Sequence, residues 1–228
     1  RLPDECSVNT EMLVPPLEPD VAAKVELVKG PNIAALPDFD PLPNRLEVPV
    51  AIKVGDDIST DTILPAGAKV LPYRSNIPKL AEFAFGQADE DYPARAARTK
   101  DDGGHAVVGG DNYGQGSSRE HAAIAPRYLG LRLVLAKSYA RIHWQNLANF
   151  GVLAVEFANA EDFDRIEQGD VLVVDGARQA IEGGNQVTVR NDTRDEEYEA
   201  HHRLSPRQVS MLLAGGLIPW LRERAGDT

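Results

Sequence analysis

At 228 residues and 24.8 kDa, the chain is long enough for one large domain, or for one domain with an extended arm. Its formal net charge of −11 argues against a general nucleic-acid surface, because phosphate binding requires clustered Lys and Arg residues. Its single cysteine, Cys6, excludes an internal disulfide framework and any self-contained site that holds a metal or iron–sulfur cluster through several thiolates.

The N-terminal segment is rich in proline, with eight prolines before residue 48. This density disfavours helices and central strands, so residues 1–47 are predicted to form an arm or linker. Because the chain begins at Arg1 and opens with polar residues and prolines, we expect it to be a piece of a longer polypeptide. It has no apolar run of membrane-spanning length and no signal-peptide pattern, and a cytosolic location is therefore predicted.

The predicted globular domain covers residues 48–228 and begins with the strand Val48–Val54, which is rich in β-branched residues. A loop with several hydroxyl side chains, Ser59–Gly67, follows. A short helix is predicted over Asn76–Phe85, with Asn76 as its N-cap, and the charged residues 86–103 are predicted to form a loop.

An alternating strand and helix order is predicted between residues 105 and 157. The strands are His105–Gly110, Leu131–Ala136 and Val152–Phe157, and the helices run from Ser117 or Ser118 to Tyr128 and from Ser138 to Asn149. This βαβαβ pattern predicts an α/β fold with parallel strands and right-handed crossovers. Two shorter strands joined at Gly183–Gly184 and a last helix are predicted at 169–174, 186–190 and 205–213.

The most informative segment is glycine-rich and follows the second predicted strand, with the sequence GGDNYGQGSSREH at positions 109–121. Unpaired N–H groups at a helix N-terminus attract anions. Arg119 is unfavourable in the first turn of a helix unless an anion lies opposite, because that end of the helix carries partial positive charge. Ser117, Ser118 and Arg119 are therefore predicted to bind a carboxylate.

Several other residues are candidates for the same site. Arg74 precedes a predicted helix, and two guanidinium groups can grip a ligand that carries several carboxylates. Asp61 can either close a local turn or orient a catalytic partner, and on its own it favours the turn. A structural role is the favoured interpretation of four further residues: Glu120, His121, Arg141 and His143.

Three long segments together resemble the C-terminal swivel domain of the aconitase family. They are Asp111–Ala123, Ala136–His143 with Asn146–Leu147, and the upstream residues around Asp61 and Pro65–Ile77. The resemblance covers most of residues 48–157. The proline-rich arm also resembles the linker that this family has between its cluster-bearing body and its swivel domain.

The resemblance implies a three-layer β/β/α swivel domain of a hydro-lyase that interconverts citrate and isocitrate through cis-aconitate on a [4Fe-4S] cluster. It implies that Ser117 is the base that removes the proton, that Ser118, Arg119 and Arg74 bind substrate carboxylates, and that Asp61 orders the site. Cysteines outside this chain would ligate the cluster, on aconitase domains 1–3 of the same polypeptide or of a partner subunit. The chain alone would then be inactive.

Two alternatives remain open from the sequence. Thr62 stands where many aconitases carry histidine, and this difference is closer to the small subunits of isopropylmalate isomerases. The second hypothesis is therefore a small subunit that acts on isopropylmalate or homoaconitate. A regulatory RNA-binding role is the third, and the charge of −11 without a basic stripe argues against it.

Overall fold

A computed structural model describes residues 9–226 of the chain. The residues divide into two compact units, one up to Pro31 and one from Asn32 onward. The first unit contains one short helix, α1 (Pro19–Ala22), and its large apolar side chains are exposed: Met12, Leu13, Val14, Leu17, Val21, Val25, Leu27 and Val28. The assignment of residues 1–47 to an arm and 48–228 to a swivel domain stays a prediction.

The second unit is built around seven strands that close into one barrel in the order β1-β2-β3-β4-β7-β6-β5. β1 to β4 pair in parallel, β5 to β7 pair antiparallel, and the two sets meet in antiparallel pairs at β1–β5 and β4–β7. The strands are β1 (Leu46–Lys53), β2 (His105–Gly109), β3 (Leu131–Ala136), β4 (Leu153–Phe157), β5 (Val171–Val174), β6 (Gln186–Asn191) and β7 (Glu196–His201).

Eight helices belong to the second unit within residues 32–226, and several are short. They are α2 (Thr60–Ile63), α3 (Ile77–Ala81), α4 (Tyr92–Thr99), α5 (His121–Tyr128), α6 (Arg141–Asn149), α7 (Ala177–Gly183), α8 (Pro206–Leu213) and α9 (Leu217–Gly226). No helix in the described part of the chain combines the length and the apolar character that crossing a membrane requires.

The core has two parts, which lie on the two faces of the parallel strands. Alternate residues such as Val108 and Leu133 point into the barrel, while Val107 and Val134 pack under the helices outside it. Both faces of β2, β3 and β4 are therefore covered, which explains their continuous apolar runs. β6 and β7 show alternating burial instead, because only their inner face is covered.

The predicted mixed α/β fold is confirmed, with the seven strands in one closed sheet, while the three-layer β/β/α arrangement stays a prediction. β2, α5, β3, α6 and β4 follow one another with parallel strands. The later strands join the parallel set at both of its edges, because β5 pairs with β1 and β7 pairs with β4, so the sheet closes on itself. Closure satisfies the backbone groups that two sheet edges would leave unpaired.

Several predicted loops contain helices or strands. Residues 86–103 include α4, whose buried face is made by Tyr92 and Ala96, and residues 59–67 include the one-turn α2. Gly183–Gly184 does not join two strands directly, since α7 lies between β5 and β6. Two further elements, β7 and α9, were not predicted. The predicted N-cap of α3, Asn76, is confirmed by a hydrogen bond of 3.1 Å from the Lys79 amide to its Oδ1, although α3 ends at Ala81.

Candidate active site

The glycine-rich segment leaves the end of β2 and is held against the short helix α2. The Ile58 carbonyl accepts hydrogen bonds from the amides of Gly114 (2.7 Å) and Gln115 (3.0 Å), and the Thr60 amide donates to the Gln115 carbonyl (2.9 Å). The buried Thr60 hydroxyl donates to the Ser117 carbonyl at 3.0 Å. These bonds join two stretches that are more than fifty residues apart in sequence, and they place the serines beside α2.

Asp61 and Arg119 form the central ion pair of this site. Arg119 donates two parallel hydrogen bonds to the Asp61 carboxylate, one to each oxygen, with 2.9 Å between Nη2 and Oδ2. The hydrogen bond from Arg119 lowers the pKa of Asp61, and the same bond raises the pKa of Arg119. The paired fork holds the guanidinium in one orientation beside the serines. The structure therefore brings Asp61 and Arg119 together, while the role of Asp61 in ordering the site stays a prediction.

The two serines lie in an irregular loop, exposed to solvent, and not at a helix N-terminus. Helix α5 begins at His121, its N-cap is Glu120, and no side chain caps it. The prediction that Ser117 or Ser118 caps α5 is therefore wrong. The first-turn amides of α5 do not surround Ser117. The loop stays irregular because Gly114 (φ +79) and Gly116 (φ +98) have left-handed backbone angles that a helix cannot continue through.

A cleft of about 200 Å³ opens between the serine loop and the first turn of α6. One side is formed by Gly116, Ser117, Ser118 and Arg119, and the other by residues 140–143. The Ala140 amide donates to the Tyr113 carbonyl at 3.0 Å, and the Tyr113 amide donates to the Ser138 carbonyl at 3.0 Å, so the two sides are tied together at their base. Ser117 thus faces the N-terminus of α6 across this cleft.

Arg74 lines a second, adjacent cleft of about 240 Å³, together with Ser118 and Arg119. Its backbone carbonyl lies 2.8 Å from His121 Nε2, which anchors the Arg74 segment to the start of α5. The Arg74 guanidinium is exposed and has no hydrogen bond or ion pair with any residue between 9 and 226. Ser118 and Arg119 are therefore shared by two clefts, with Ser117 in one and Arg74 in the other.

The first turn of α6, for which a structural role was the favoured interpretation, also lines the cleft. His143 is 2% exposed, and within the described residues neither of its ring nitrogens has a hydrogen-bond partner. Burial lowers its pKa to about 4, so the imidazole is neutral at pH 7. The ring packs directly against Gly114, where a Cβ atom would come within 2.2 Å of His143 Cδ2. The signal available in the sequence was a histidine in the first turn of the helix after β3.

The described residues of this chain do not fit a metal or iron–sulfur site. Between residues 9 and 226 no group of three or more His, Cys, Asp or Glu side chains is arranged to hold a metal ion, and Cys6 lies outside the described residues. One thiolate cannot ligate a cluster that needs several. Ligation of a cluster by cysteines elsewhere stays a prediction.

Comparison with known proteins gives the family. The model of the aconitase C-terminal domain matches residues 78–160. The methanogen homoaconitase small subunit of Methanocaldococcus jannaschii is 34% identical over 176 residues, an alignment that covers 76% of this chain and 90% of that protein. The chain belongs to the aconitase C-terminal domain family.

Members of this family occur both as parts of long chains and as small subunits. The putative mitochondrial aconitate hydratase of Aspergillus fumigatus is 35% identical over 242 residues, which cover 92% of this chain but 30% of that protein. The chain thus spans about 30% of the length of this fungal relative. A crystal structure of 3-isopropylmalate dehydratase from Methanocaldococcus jannaschii matches with a TM-score of 0.65 and 28% identity, covering 80% of this chain and 96% of that one. These homologues are hydro-lyases. The solved dehydratase chain shares the mixed α/β fold described above.

Proposed function

We propose that this aconitase C-terminal domain is the swivel domain of an aconitate hydratase that interconverts citrate and isocitrate through cis-aconitate. In this proposal Ser117 removes the proton, Ser118, Arg119 and Arg74 bind substrate carboxylates, and Asp61 positions Arg119. The main support for this proposal is the bidentate ion pair between Asp61 and Arg119. It holds the Arg119 guanidinium between two clefts, beside two exposed serines.

The chemistry of a serine base needs nearby positive charge. A serine hydroxyl removes a proton only if its alkoxide is stabilised, and fixed cationic groups provide that stabilisation without reorganisation. Arg119 is held beside Ser117 by Asp61, and Arg141 lies across the same cleft. The pair must stay ionised for this purpose, and the lowered pKa of Asp61 keeps its carboxylate charged at neutral pH.

The proposal also includes a partner. The clefts hold only one side of a site for a small carboxylate ligand, and the cluster that the family resemblance implies has no ligands among residues 9–226. We therefore propose that cluster-bearing domains, on the same polypeptide or on a large subunit, complete the site. Eight large apolar side chains exposed between Met12 and Val28 support such a partner, because an exposed apolar stretch of this length favours burial against another surface. A cytosolic location stays a prediction.

The test is to replace Ser117 with alanine in the full-length polypeptide, or in the two-chain complex, that contains this domain. We expect kcat for citrate dehydration to fall by roughly 10²–10⁴-fold, with KM nearly unchanged, because the base acts in the chemical step. The ultraviolet absorbance of cis-aconitate measures the rate. Ser210→Ala, on the exposed face of α8, is the matched control and should keep full activity. Turnover of Ser117→Ala within a factor of a few of wild type would show that the base is another group.

A second candidate function is that of a small subunit acting on isopropylmalate or homoaconitate. The chain covers 90% of the methanogen homoaconitase small subunit and 96% of the solved isopropylmalate dehydratase chain, which favours this possibility. Thr62 stands in place of the common histidine. Its amide donates to the N-cap Ser59 Oγ at 3.0 Å, and its hydroxyl lies 2.9 Å from the same oxygen. Measuring kcat/KM for citrate, homocitrate and 3-isopropylmalate with one preparation decides between the two functions.

A further inference from the structure

The first turn of α6 has unsatisfied donors that face the cleft. Its N-cap is Ala140, and no side chain caps the helix within the described residues. The amides of Arg141, Ile142 and His143 therefore have no acceptor there, since intrahelical bonds begin only at Trp144, whose amide donates to the Ala140 carbonyl at 3.1 Å. Residues 140–143 line the same cleft as Ser117, Ser118 and Arg119.

Two side chains add to these amides. Arg141 is exposed, and its guanidinium has no hydrogen-bond or ion-pair partner among residues 9–226. A cation at a helix N-terminus is unfavourable, because the helix dipole is positive there, so this placement calls for an anion. His143 also lines the cleft, and among the described residues neither of its buried ring nitrogens has a partner. A buried polar group without a partner is costly, and a neutral imidazole can donate one N–H.

We propose that the first turn of α6 is a carboxylate-binding subsite, formed by Arg141, the free first-turn amides and the His143 ring. It binds one carboxylate of the ligand whose other carboxylate lies at Ser118 and Arg119, and in this respect it rests on the proposed function. A ligand with two or more carboxylates then bridges the cleft, from the serine loop on one side to the helix N-terminus on the other.

The cover over His143 is suited to this role. The ring is shielded by Gly114, which approaches it so closely that no Cβ fits. Gly114, Gly116 and His143 all line the cleft, and the two glycines place no side chain between the ring and a bound ligand. The neutral ring then donates its N–H to the carboxylate, which satisfies a donor that is unpaired without the ligand.

The experiment is a titration of the full 228-residue chain with citrate at constant ionic strength and pH 7, followed by nuclear magnetic resonance. Three sets of signals are followed: the amides of residues 141–143, the ring nitrogens of His143, and the amides of Ser118 and Arg119. We expect all three to shift with one common saturation curve. The first turn of α8 is the internal control, because Ser205 and Gln208 already cap it and its amides should not move.

Matched variants measure the contribution of the charge. Arg141→Gln should weaken citrate binding by roughly threefold to tenfold, as expected for one hydrogen-bonded charge in a partly exposed site. Arg207→Gln, which removes an arginine from the first turn of α8, should leave the affinity unchanged. His143→Phe keeps an aromatic ring against Gly114 but removes both nitrogens, and it should also weaken binding. Its amide spectrum outside the cleft reports whether the fold is kept.

The outcomes separate this inference from the proposed function. Shifts at Ser118 and Arg119 without shifts at residues 141–143 would overturn the α6 subsite and leave the proposed carboxylate role of the serine loop intact. Shifts at α6 alone would support the subsite and contradict the role of Ser118 and Arg119. If neither citrate nor 3-isopropylmalate shifts residues 141–143, the subsite is wrong. Equal affinities of Arg141→Gln and wild type would also overturn it.

Discussion

At the scale of single residues, Gly114 shows how closely the serine loop is fitted to the helix beneath it. Its φ of +79 is one that other residues adopt only with strain, and its Cα lies against the His143 ring. Both constraints act on the same residue. The loop that carries Ser117 therefore has its path set by a backbone angle and by a close contact at once.

Replacing Gly114 with alanine should lower the free energy of unfolding by more than the strain of the backbone angle alone accounts for. Gly169→Ala is the matched comparison, because Gly169 has φ +95 but open space where a Cβ would lie. We expect Gly169→Ala to lower the free energy of unfolding by about 1–2 kcal/mol, and Gly114→Ala to lower it by about 2 kcal/mol more, since the new methyl overlaps the His143 ring. Urea unfolding curves measure both. Equal losses in the two variants would mean that the His143 contact contributes nothing.

At the scale of elements, the helix N-termini differ in whether a side chain caps them. α8 begins with a capping box, in which the Ser205 amide donates to Gln208 Oε1 at 2.9 Å and the Gln208 amide donates to Ser205 Oγ at 3.4 Å. α5 and α6 begin without side-chain caps, and both lie beside the clefts. The capping box stabilises α8, whereas the first-turn amides of α6 have no acceptor among the described residues.

Removing the cap of α8 gives a prediction at this scale. Ser205→Ala should lower the free energy of unfolding by about 1 kcal/mol, because the Gln208 amide loses its acceptor. Ser210→Ala removes a hydroxyl that donates to the Pro206 carbonyl within the same helix (3.1 Å), and it should change stability by less than about 0.5 kcal/mol. Chemical denaturation of the two variants side by side provides the measurement. A smaller loss for Ser205→Ala than for Ser210→Ala would contradict the capping role.

At the scale of the whole molecule, buried neutral histidines tie stability to pH. His105 is fully buried, with its Nε2 2.8 Å from the Tyr92 hydroxyl, and burial lowers its pKa from 6.5 to about 3. Burial lowers the pKa of His143 to about 4. Between these values and 6.5 the unfolded chain binds protons that the folded chain does not, so folding becomes less favourable as the pH falls below about 6.5.

As the pH falls from about 6 to about 5, each of these two histidines should lower the free energy of unfolding by about 1.4 kcal/mol per pH unit. Urea unfolding at several pH values measures this slope. In His105→Leu the slope should become shallower by about that amount. Tyr92→Phe removes the hydrogen bond to His105 but keeps the ring buried, so it should lower stability at every pH and keep the slope. An unchanged slope in His105→Leu would mean that His105 accepts a proton in the folded state.

The sequence by itself determined the features that depend on neighbouring residues. The apolar runs bounded by glycine predicted β2, β3 and β4, Asn76 and Ser205 marked helix starts, and the adjacency of Ser117, Ser118 and Arg119 placed three candidate residues in one loop. These features follow from local backbone propensities and from burial patterns within one segment. α4 escaped prediction because its charged sequence buries only Tyr92 and Ala96.

The tertiary structure alone decided the features that depend on distant residues. Asp61 meets Arg119 across 58 positions, the barrel closes where β7 pairs with β4, and His143 packs under Gly114. It also placed Ser117 opposite the N-terminus of α6 and not at the start of α5. Such contacts arise when the whole core packs and strand edges find their partners, and no pattern within a short segment encodes which distant segment will lie beside it.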